Sequence, residues 1–235
     1  MALQNKFMNK LKFPSEIAYV VGLLLLSLGT CLSTKANFGV SMIAAPAYLI
    51  HLYLSKTVST FFTFGRCEIM LEMLVIFIMC LLLRKFKFGY LFSLMAGVIY
   101  GLFLDMWILI FKNVHLVEFT QRVMIFILAQ IVTAYGISLA FKSYFPPAAY
   151  DFFVKEVSEH FHIKLPVFKT AFDITFCIIS IILSFSIFGF GYFEGIKIGT
   201  IIIALVNGTT IGIATGHIDK LFSFYDIYNL RKIFE

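Results

Sequence analysis

Long apolar runs constrain this chain more than any other feature of its sequence. They recur along the 235 residues, at about 17–34, 67–83, 89–111, 121–141, 167–190 and 197–215. Each is close to the ~20 residues that an α-helix needs to cross the ~30 Å hydrocarbon core of a bilayer. Lipid offers the backbone no hydrogen-bond partners, so each run must satisfy its own by forming a helix. The sequence therefore predicts an all-α fold: a polytopic membrane bundle of about six spanning helices in one domain, residues 1–235.

The composition agrees with a membrane protein and excludes other classes. Hydrophobic residues make up 60% of the chain and charged residues 14%, against roughly 45–50% and 25% in soluble domains. The net charge of +6 comes from lysines and arginines grouped at the ends of apolar runs, as the positive-inside bias requires. We expect the lipid bilayer, and no nucleic acid, as a partner. The four cysteines lack zinc-site spacing, and we predict no metal or cofactor.

The basic residues also predict an orientation. The first apolar run follows a basic leader, is long enough to span and lacks a clear cleavage site, so we interpret it as an uncleaved first helix. The cluster "RKFK" at 84–87 is placed in the cytoplasm when six helices span. We predict a multi-pass protein of the plasma membrane with both termini cytoplasmic, the last part being a cytoplasmic tail at 220–235.

Two apolar segments do not match a simple span. Residues 37–55 are short and contain Gly39 and Pro46, so this segment is either re-entrant or a crossing. Residues 144–165 carry seven charged or histidine side chains and begin with Pro146-Pro147, and they cannot span. In the second segment Tyr150, Phe153, Val154, Val157 and Phe161 recur at helical spacing, which predicts an amphipathic helix. Counting both segments as crossings gives an alternative of eight spans.

The order of these segments indicates an internal duplication, with repeat 1 at 15–112 and repeat 2 at 119–219. Each non-spanning segment follows the first helix of a trio and precedes a pair of helices. Since three spans are an odd number, the second repeat would enter the membrane from the opposite side, an inverted repeat. Glycines in the last helix of each repeat match in order and predict close helix packing. They are Gly89, Gly97 and Gly101 in the first repeat and Gly199, Gly208 and Gly212 in the second.

Short motifs in both repeats resemble a known family. They are "GTCLSTKANFGVSMIAAPAYLI" (29–50), "FGYLFSLMAGVIYGLFLD" (88–105), "PPAAYDFF" (146–153) and "GIKIGTIIIALVNG" (195–208). Over nearly the whole chain they resemble the YczE/YyaS/YitT-like bacterial membrane proteins. The resemblance implies a helical bundle of two similar halves in a bacterial cell membrane, and it supplies no substrate. Where that family has Pro-x-Asp after the first "GVS", this chain has Met42, Ile43 and Ala44, and only the second copy keeps the acid, as Asp151.

Charged residues inside the apolar runs are the candidate functional residues, because an ionisable side chain in hydrocarbon costs roughly 3 kcal/mol. Glu72 lies about a turn and a half inside its run, and Asp173 occupies the equivalent place in repeat 2, each preceded by a basic residue. Repeat symmetry would bring these two acids to related depths around one axis. The alternative is a structural ion pair between Lys169 and Asp173. The hypothetical substrate-binding set is Glu72, Asp173, Arg66, Asn207, Thr210 and Asp105, the last being either a cavity residue or an interfacial acid.

The function that this pattern favours is transport. We predict a transporter-like protein that binds a small cationic or protonatable solute between the two repeats. The alternative is a non-transporting accessory or regulatory protein, whose charged helix at 148–161 and glycine faces dock a protein partner or a second copy. We expect no enzyme, because the sequence contains no nucleophile-base set, HExxH motif or phosphate-binding loop.

Overall fold

The computed structural model describes residues 10–146, 148–191 and 193–227. These residues form eight α-helices and two short strands. The elements in chain order are β1 Leu11–Pro14, α1 Ser15–Ala36, α2 Ala45–Thr57, α3 Phe64–Leu83, α4 Phe88–Ile110, α5 Phe119–Ala140, α6 Ala149–His160, α7 Leu165–Phe188, α8 Ile198–Leu221 and β2 Phe222–Tyr225. The all-α, membrane-like fold predicted from the apolar runs is confirmed.

Each of the six predicted spans is a helix, but only five helices of the described chain are long and apolar enough to cross a membrane: α1, α4, α5, α7 and α8. The exception is α3, which has 20 residues but carries Arg66, Glu68 and Glu72 in its first half. Charges of this kind must face protein or a cavity rather than lipid. The number of spans therefore depends on what surrounds α3.

The two segments between the spans form short helices. With 13 and 12 residues, α2 and α6 are roughly 20 Å long and cannot cross ~30 Å of hydrocarbon alone. The amphipathic prediction for α6 holds for Tyr150, Phe153, Val154 and Val157, which are all buried. It is wrong for Phe161, which lies just beyond the helix and is 52% exposed.

The two ends of the described chain meet in a structure that the sequence did not predict. Strand β1 pairs in parallel with β2, with Leu11 opposite Phe222 and Pro14 opposite Tyr225. The start of α1 and the end of α8 therefore lie at the same end of the bundle. The predicted tail at 220–235 includes β2, and its residues 228–235 lie outside the described part of the chain.

Helices α1 and α5 form the centre of the bundle and approach each other closely. A Cβ at Gly22 would lie 2.7 Å from the Ala140 nitrogen, and one at Gly136 would lie 2.6 Å from the Leu26 nitrogen. Backbones can come this near only where a side chain is missing, which is the role of small residues in membrane helices.

Most of the remaining helix–helix contacts come in pairs: a contact that involves helices of one half has a counterpart when α1 to α4 are replaced by α5 to α8 and the reverse. Helix α1 packs on α4 as α5 packs on α8, α3 packs on α6 as α2 packs on α7, and α2 packs on α3 as α6 packs on α7. One pair breaks the pattern: α3 packs along α4, whereas α7 and α8 make no comparable contact in the described chain.

The outward faces of the long helices are apolar. Exposed residues include Leu91 and Leu102 on α4, Ile127 on α5, Ile178 on α7 and Leu205 on α8. So much exposed aliphatic surface is unfavourable in water and suits lipid. The helices are therefore compatible with a multi-pass protein in a bilayer.

Candidate functional site

A cavity of about 160 Å³ lies between the two halves of the bundle. Residues of α1, α3 and α4 line it from one half, and residues of α5, α6 and α8 line it from the other. The segment before α2 adds Val40 and Ala44 to the wall. The lining surface is mostly apolar, although eleven of the lining residues have polar side chains. An apolar wall with polar groups placed in it is typical of a small-molecule site.

Two acids of α3 face this cavity. Glu68 and Glu72 are four residues apart on one face of the helix, and each is only 1% exposed. Neither forms a salt bridge with any residue that the structure describes. Since a buried carboxylate is costly unless it is paired or hydrogen-bonded, these two side chains set the chemistry of the cavity.

Glu68 has a partner within the protein. The Tyr150 hydroxyl of α6 donates a hydrogen bond of 2.8 Å to Glu68 Oε2. Burial and the neighbouring Glu68 carboxylate raise the pKa of the Tyr150 hydroxyl, which therefore keeps its proton and acts as the donor. Helix α6 thus reaches across the bundle to an acid of the other half.

Glu72 has no such partner. Its Oε2 atom is buried without a hydrogen bond to any described residue. The carboxyl group lies directly against Gly97 of α4, where a Cβ would overlap it. The missing side chain at Gly97 therefore makes room for the Glu72 carboxyl group. An orphaned buried acceptor of this kind requires an explanation, and a ligand is one.

The structure separates Asp173 from Glu72. Asp173 of α7 does not line the cavity, and its side chain is 31% exposed. Lys169 bridges it to α6, with Nζ 3.4 Å from Asp173 Oδ1 and 2.9 Å from Asp151 Oδ1. This is the structural ion pair that the sequence left open as the alternative, with Asp151 as a further member. Asp151 also lies at the cavity wall.

Of three further residues predicted to bind the solute, one lines the cavity and two do not. Asn207 lines the cavity from α8, but Thr210 donates to the carbonyl of Asn207 within its own helix. Arg66 is exposed, lies over the Phe61 ring and donates to its carbonyl oxygen at 2.8 Å. Neither Thr210 nor Arg66 reaches the cavity.

Asp105 has a role at a helix end. Its carboxylate accepts from the Thr63 hydroxyl at 2.5 Å and from the Gly65 N–H at 2.8 Å. Both donors are at the start of α3, where backbone N–H groups have no partner within the helix. Asp105 of α4 therefore caps α3, and it lies outside the cavity.

The six predicted packing glycines have different surroundings. A Cβ at Gly101 would lie 2.7 Å from the Gly65 carbonyl oxygen, and one at Gly199 would overlap the Phe38 carbonyl oxygen. Gly89 has only the Phe152 ring nearby, at 3.4 Å. Nothing lies within 4 Å of a Cβ at Gly208 or Gly212. In the described bundle these last two glycines therefore pack against no other helix.

Two further cavities flank the central one. A cavity of about 230 Å³ shares Leu23, Ile137 and Asp151 with it and extends towards the loop between α5 and α6. At the other end, a basin of about 650 Å³ is lined by basic side chains that include Arg122. The Arg122 guanidinium donates to the carbonyls of Ala36 and Asn37 at 2.9 and 3.0 Å. It thus stabilises the C-terminal end of α1, as cations do at that end of a helix.

Sequence reasoning missed most of the residues around Glu72. Glu68 is not among the predicted binding residues, although its spacing of four from Glu72 indicates a shared helix face. Tyr150 was recognised only as part of an apolar face, and Tyr100 carried no signal at all. These tyrosines join the cavity through the packing of α4 and α6 on α3, which no local pattern predicts.

The fold and the site define a class: a helical membrane-type protein with a buried acidic cavity at the junction of its two halves. The chain belongs to the Family of unknown function (DUF6198), whose model matches residues 13–216. No curated protein matches the chain. No solved structure matches it either.

Proposed function

We propose that this protein is a transporter-like membrane protein that binds a small cationic or protonatable solute in the central cavity. The observation that carries the proposal is Glu72: it is 1% exposed, lacks a partner at Oε2 and lines a cavity built by both halves of the bundle. Acids inside membrane bundles mark solute or ion pathways, and transporters bind substrate at the junction of their repeats.

The proposed architecture has six spans in two inverted repeats. Because β1 pairs with β2, α1 begins and α8 ends at the same end of the bundle, which requires an even number of crossings. Five apolar helices are an odd number, and α3 is the one remaining helix of sufficient length in the described chain. Helix α1 contacts α4 in the same way that α5 contacts α8, and this correspondence supports the repeat. We also propose that the chain is related to the YczE/YyaS/YitT-like proteins that its motifs resemble.

The proposed orientation places both chain ends in the cytoplasm of a bacterial cell, with the protein in its plasma membrane. Arg84, Lys85 and Lys87 follow α3, which runs back to the side where α1 begins. Basic residues next to spans favour the cytoplasmic side, so this cluster supports the orientation.

The rival function, docking of a partner protein, has less support. The face of α6 that would dock a partner is occupied, since Tyr150, Phe153 and Val157 are buried against the bundle. Only a narrow charged edge with Lys155 and Glu159 is exposed. A regulator that binds through this edge would lose function on changes at Lys155 and Glu159, whereas a transporter would lose it on changes at Glu72.

A thermal-shift screen of the purified full chain tests the proposal. The probes are sodium, magnesium and zinc chloride, glycine, lysine, thiamine, butylammonium and steps of pH. A bound probe raises the melting temperature by mass action. We expect at least one probe to do so in the wild type and to lose its effect in Glu72→Gln. Its uptake into proteoliposomes then shows transport.

The exposed variant Glu159→Gln is the matched control, because it makes the same chemical change outside the cavity. If every response is equal in the wild type, Glu72→Gln and Glu159→Gln, the cavity does not bind a solute. A loss of partner-dependent function in Glu159→Gln alone would support docking instead.

A further inference from the structure

We infer that the solute of the central cavity is a small organic ammonium ion, with one N–H-bearing cationic head and an apolar body. The inference rests on the proposed function, because it names the substrate class of the same cavity. It follows from three properties of the described residues: the charge at the cavity, the set of ligand atoms, and the size and lining of the space.

The two acids at the cavity need either a proton or a cation from outside the protein to offset the cost of their burial. Glu68 and Glu72 are both buried, and no salt bridge among the described residues reaches either of them. The nearby cation Lys169 is already bound to Asp151 and Asp173. A bound cation offsets the cost of burying the carboxylates, and a charge-assisted hydrogen bond to Glu72 adds to this.

The ligand set disfavours a metal ion. Among residues 10–146, 148–191 and 193–227, no group of three or more histidine, cysteine, aspartate or glutamate side chains is placed to hold one. Tyr150 already donates to Glu68, which leaves Glu72 as the acid without a partner. Hard cations need about six oxygen ligands, whereas an ammonium head is satisfied by one carboxylate and neighbouring polar groups.

The shape and lining of the cavity define the body of the ligand. Its volume of about 160 Å³ is close to that of an engineered cavity of about 150 Å³ that binds benzene. Most of the wall surface is apolar, with aliphatic side chains that include Leu23 and Ile203, and Tyr100 adds an aromatic ring. Polar side chains such as Gln130 and Asn207 lie among them. Such a wall favours an apolar chain or ring over a hydrated ion, and aromatic rings attract ammonium groups.

Gly97 fixes the position of the recognising acid. Because the Glu72 carboxyl group lies where a side chain of residue 97 would be, α4 holds it against one wall of the cavity. A carboxylate fixed in this way binds a cationic head without first losing the freedom of a mobile side chain.

Butylammonium provides the test, with 1-butanol and butyrate as probes of similar shape and different charge. Binding to the full chain in lipid nanodiscs is measured by calorimetry for the wild type, Glu72→Gln and the control Glu159→Gln. We expect butylammonium to bind at least tenfold more tightly than either probe. The Kd should rise at least tenfold in Glu72→Gln and stay within twofold in Glu159→Gln.

A second measurement needs no variant. Dicyclohexylcarbodiimide, an apolar reagent, couples to carboxyl groups inside membrane proteins, and mass spectrometry locates the label. We expect butylammonium, but not butyrate, to slow labelling of Glu72 several-fold in the wild type. This readout keeps the inference testable if Glu72→Gln does not fold.

The outcomes separate the inference from the proposed function. Glu72-dependent binding of butanol, butyrate or magnesium in place of butylammonium would overturn the ammonium assignment and leave a solute-binding cavity. A Glu72-dependent response to pH alone would assign a proton and overturn it as well. If no probe binds in a Glu72-dependent way and none slows the labelling, both proposals are wrong.

Discussion

The helix pairs α3–α4 and α7–α8 share a spacing of glycines and charged residues, but their surroundings differ. In the first pair, Gly101 approaches the Gly65 carbonyl, and Gly97 leaves space for Glu72. In the second, the matching Gly208 and Gly212 have nothing within 4 Å of a Cβ. A glycine repeat therefore permits close packing of helices but does not ensure that a neighbour is present.

The acids of the two pairs differ in the same way. Glu68 and Glu72 on α3 are buried beside the cavity, while Lys169 and Asp173, also four residues apart, form an ion pair that is partly exposed on α7. The first pair places two carboxyl groups at the cavity without a basic partner among the described residues, and the second pairs its acid with a lysine. This difference between the halves makes the cavity acidic on the α3 side.

The largest effect on stability is expected for a glycine substitution that compares α4 with α8. Gly101→Ala places a Cβ 2.7 Å from the Gly65 carbonyl oxygen, and because that atom is backbone, the helices must move apart. We expect a loss of about 1–3 kcal/mol in the free energy of unfolding, measured in mixed detergent micelles. Gly212→Ala is the matched variant, and we expect a change below about 0.5 kcal/mol. Equal losses would mean that α8 packs as closely as α4.

The second prediction concerns the cap that only the first pair has. Asp105→Ala removes the acceptor for the Thr63 hydroxyl and the Gly65 N–H, and α8 has Gly216 in the corresponding place. We expect a loss of about 1–2 kcal/mol, as for other N-terminal caps. Asp105→Asn keeps one acceptor oxygen and should lose less in the same unfolding assay. If both variants are as stable as the wild type, Asp105 does not stabilise α3.

The third prediction tests the bond between the two halves. Tyr150→Phe removes the hydroxyl that donates to Glu68 and keeps the ring in its place against Phe176. We expect a loss of about 1 kcal/mol, the net contribution of a typical hydrogen bond, because a buried acceptor loses its donor. An unchanged melting temperature would show that Glu68 finds another donor. Tyr53→Phe, at a half-exposed position on α2, is the control and should have no effect.

The smallest effect on the free energy of unfolding is expected for a change in the α7–α8 pair. Asp173→Asn leaves Lys169 paired with Asp151, and both carboxylates are partly exposed. Because Lys169 keeps one carboxylate partner, we expect a smaller loss in unfolding free energy than for Gly101→Ala. A loss larger than that of Gly101→Ala would reverse the comparison between the two pairs.

Local patterns predicted the elements of this fold better than its site. The apolar runs placed five of the six long helices within three residues and ended α8 six residues early, and the amphipathic spacing of 144–165 predicted α6. Glu72 was also found, since a charge well inside an apolar run stands out. Asp105 was found for the same reason, but its role as a cap depends on where the start of α3 lies relative to α4. The strand pair was missed, because strands of four residues carry too little pattern to detect.

The sequence by itself determined that the chain forms long apolar helices, because backbone groups in lipid must be satisfied within each segment. It also determined which side chains are too polar to face lipid. Only the tertiary structure decided which of them meet. Glu68, Glu72, Tyr150 and Asn207 come from three helices far apart in the chain, and the packing of α6 and α8 brings them to one cavity. Asp173 has the same sequence signal as Glu72, yet the neighbours of α7 give it a lysine and leave it outside the cavity.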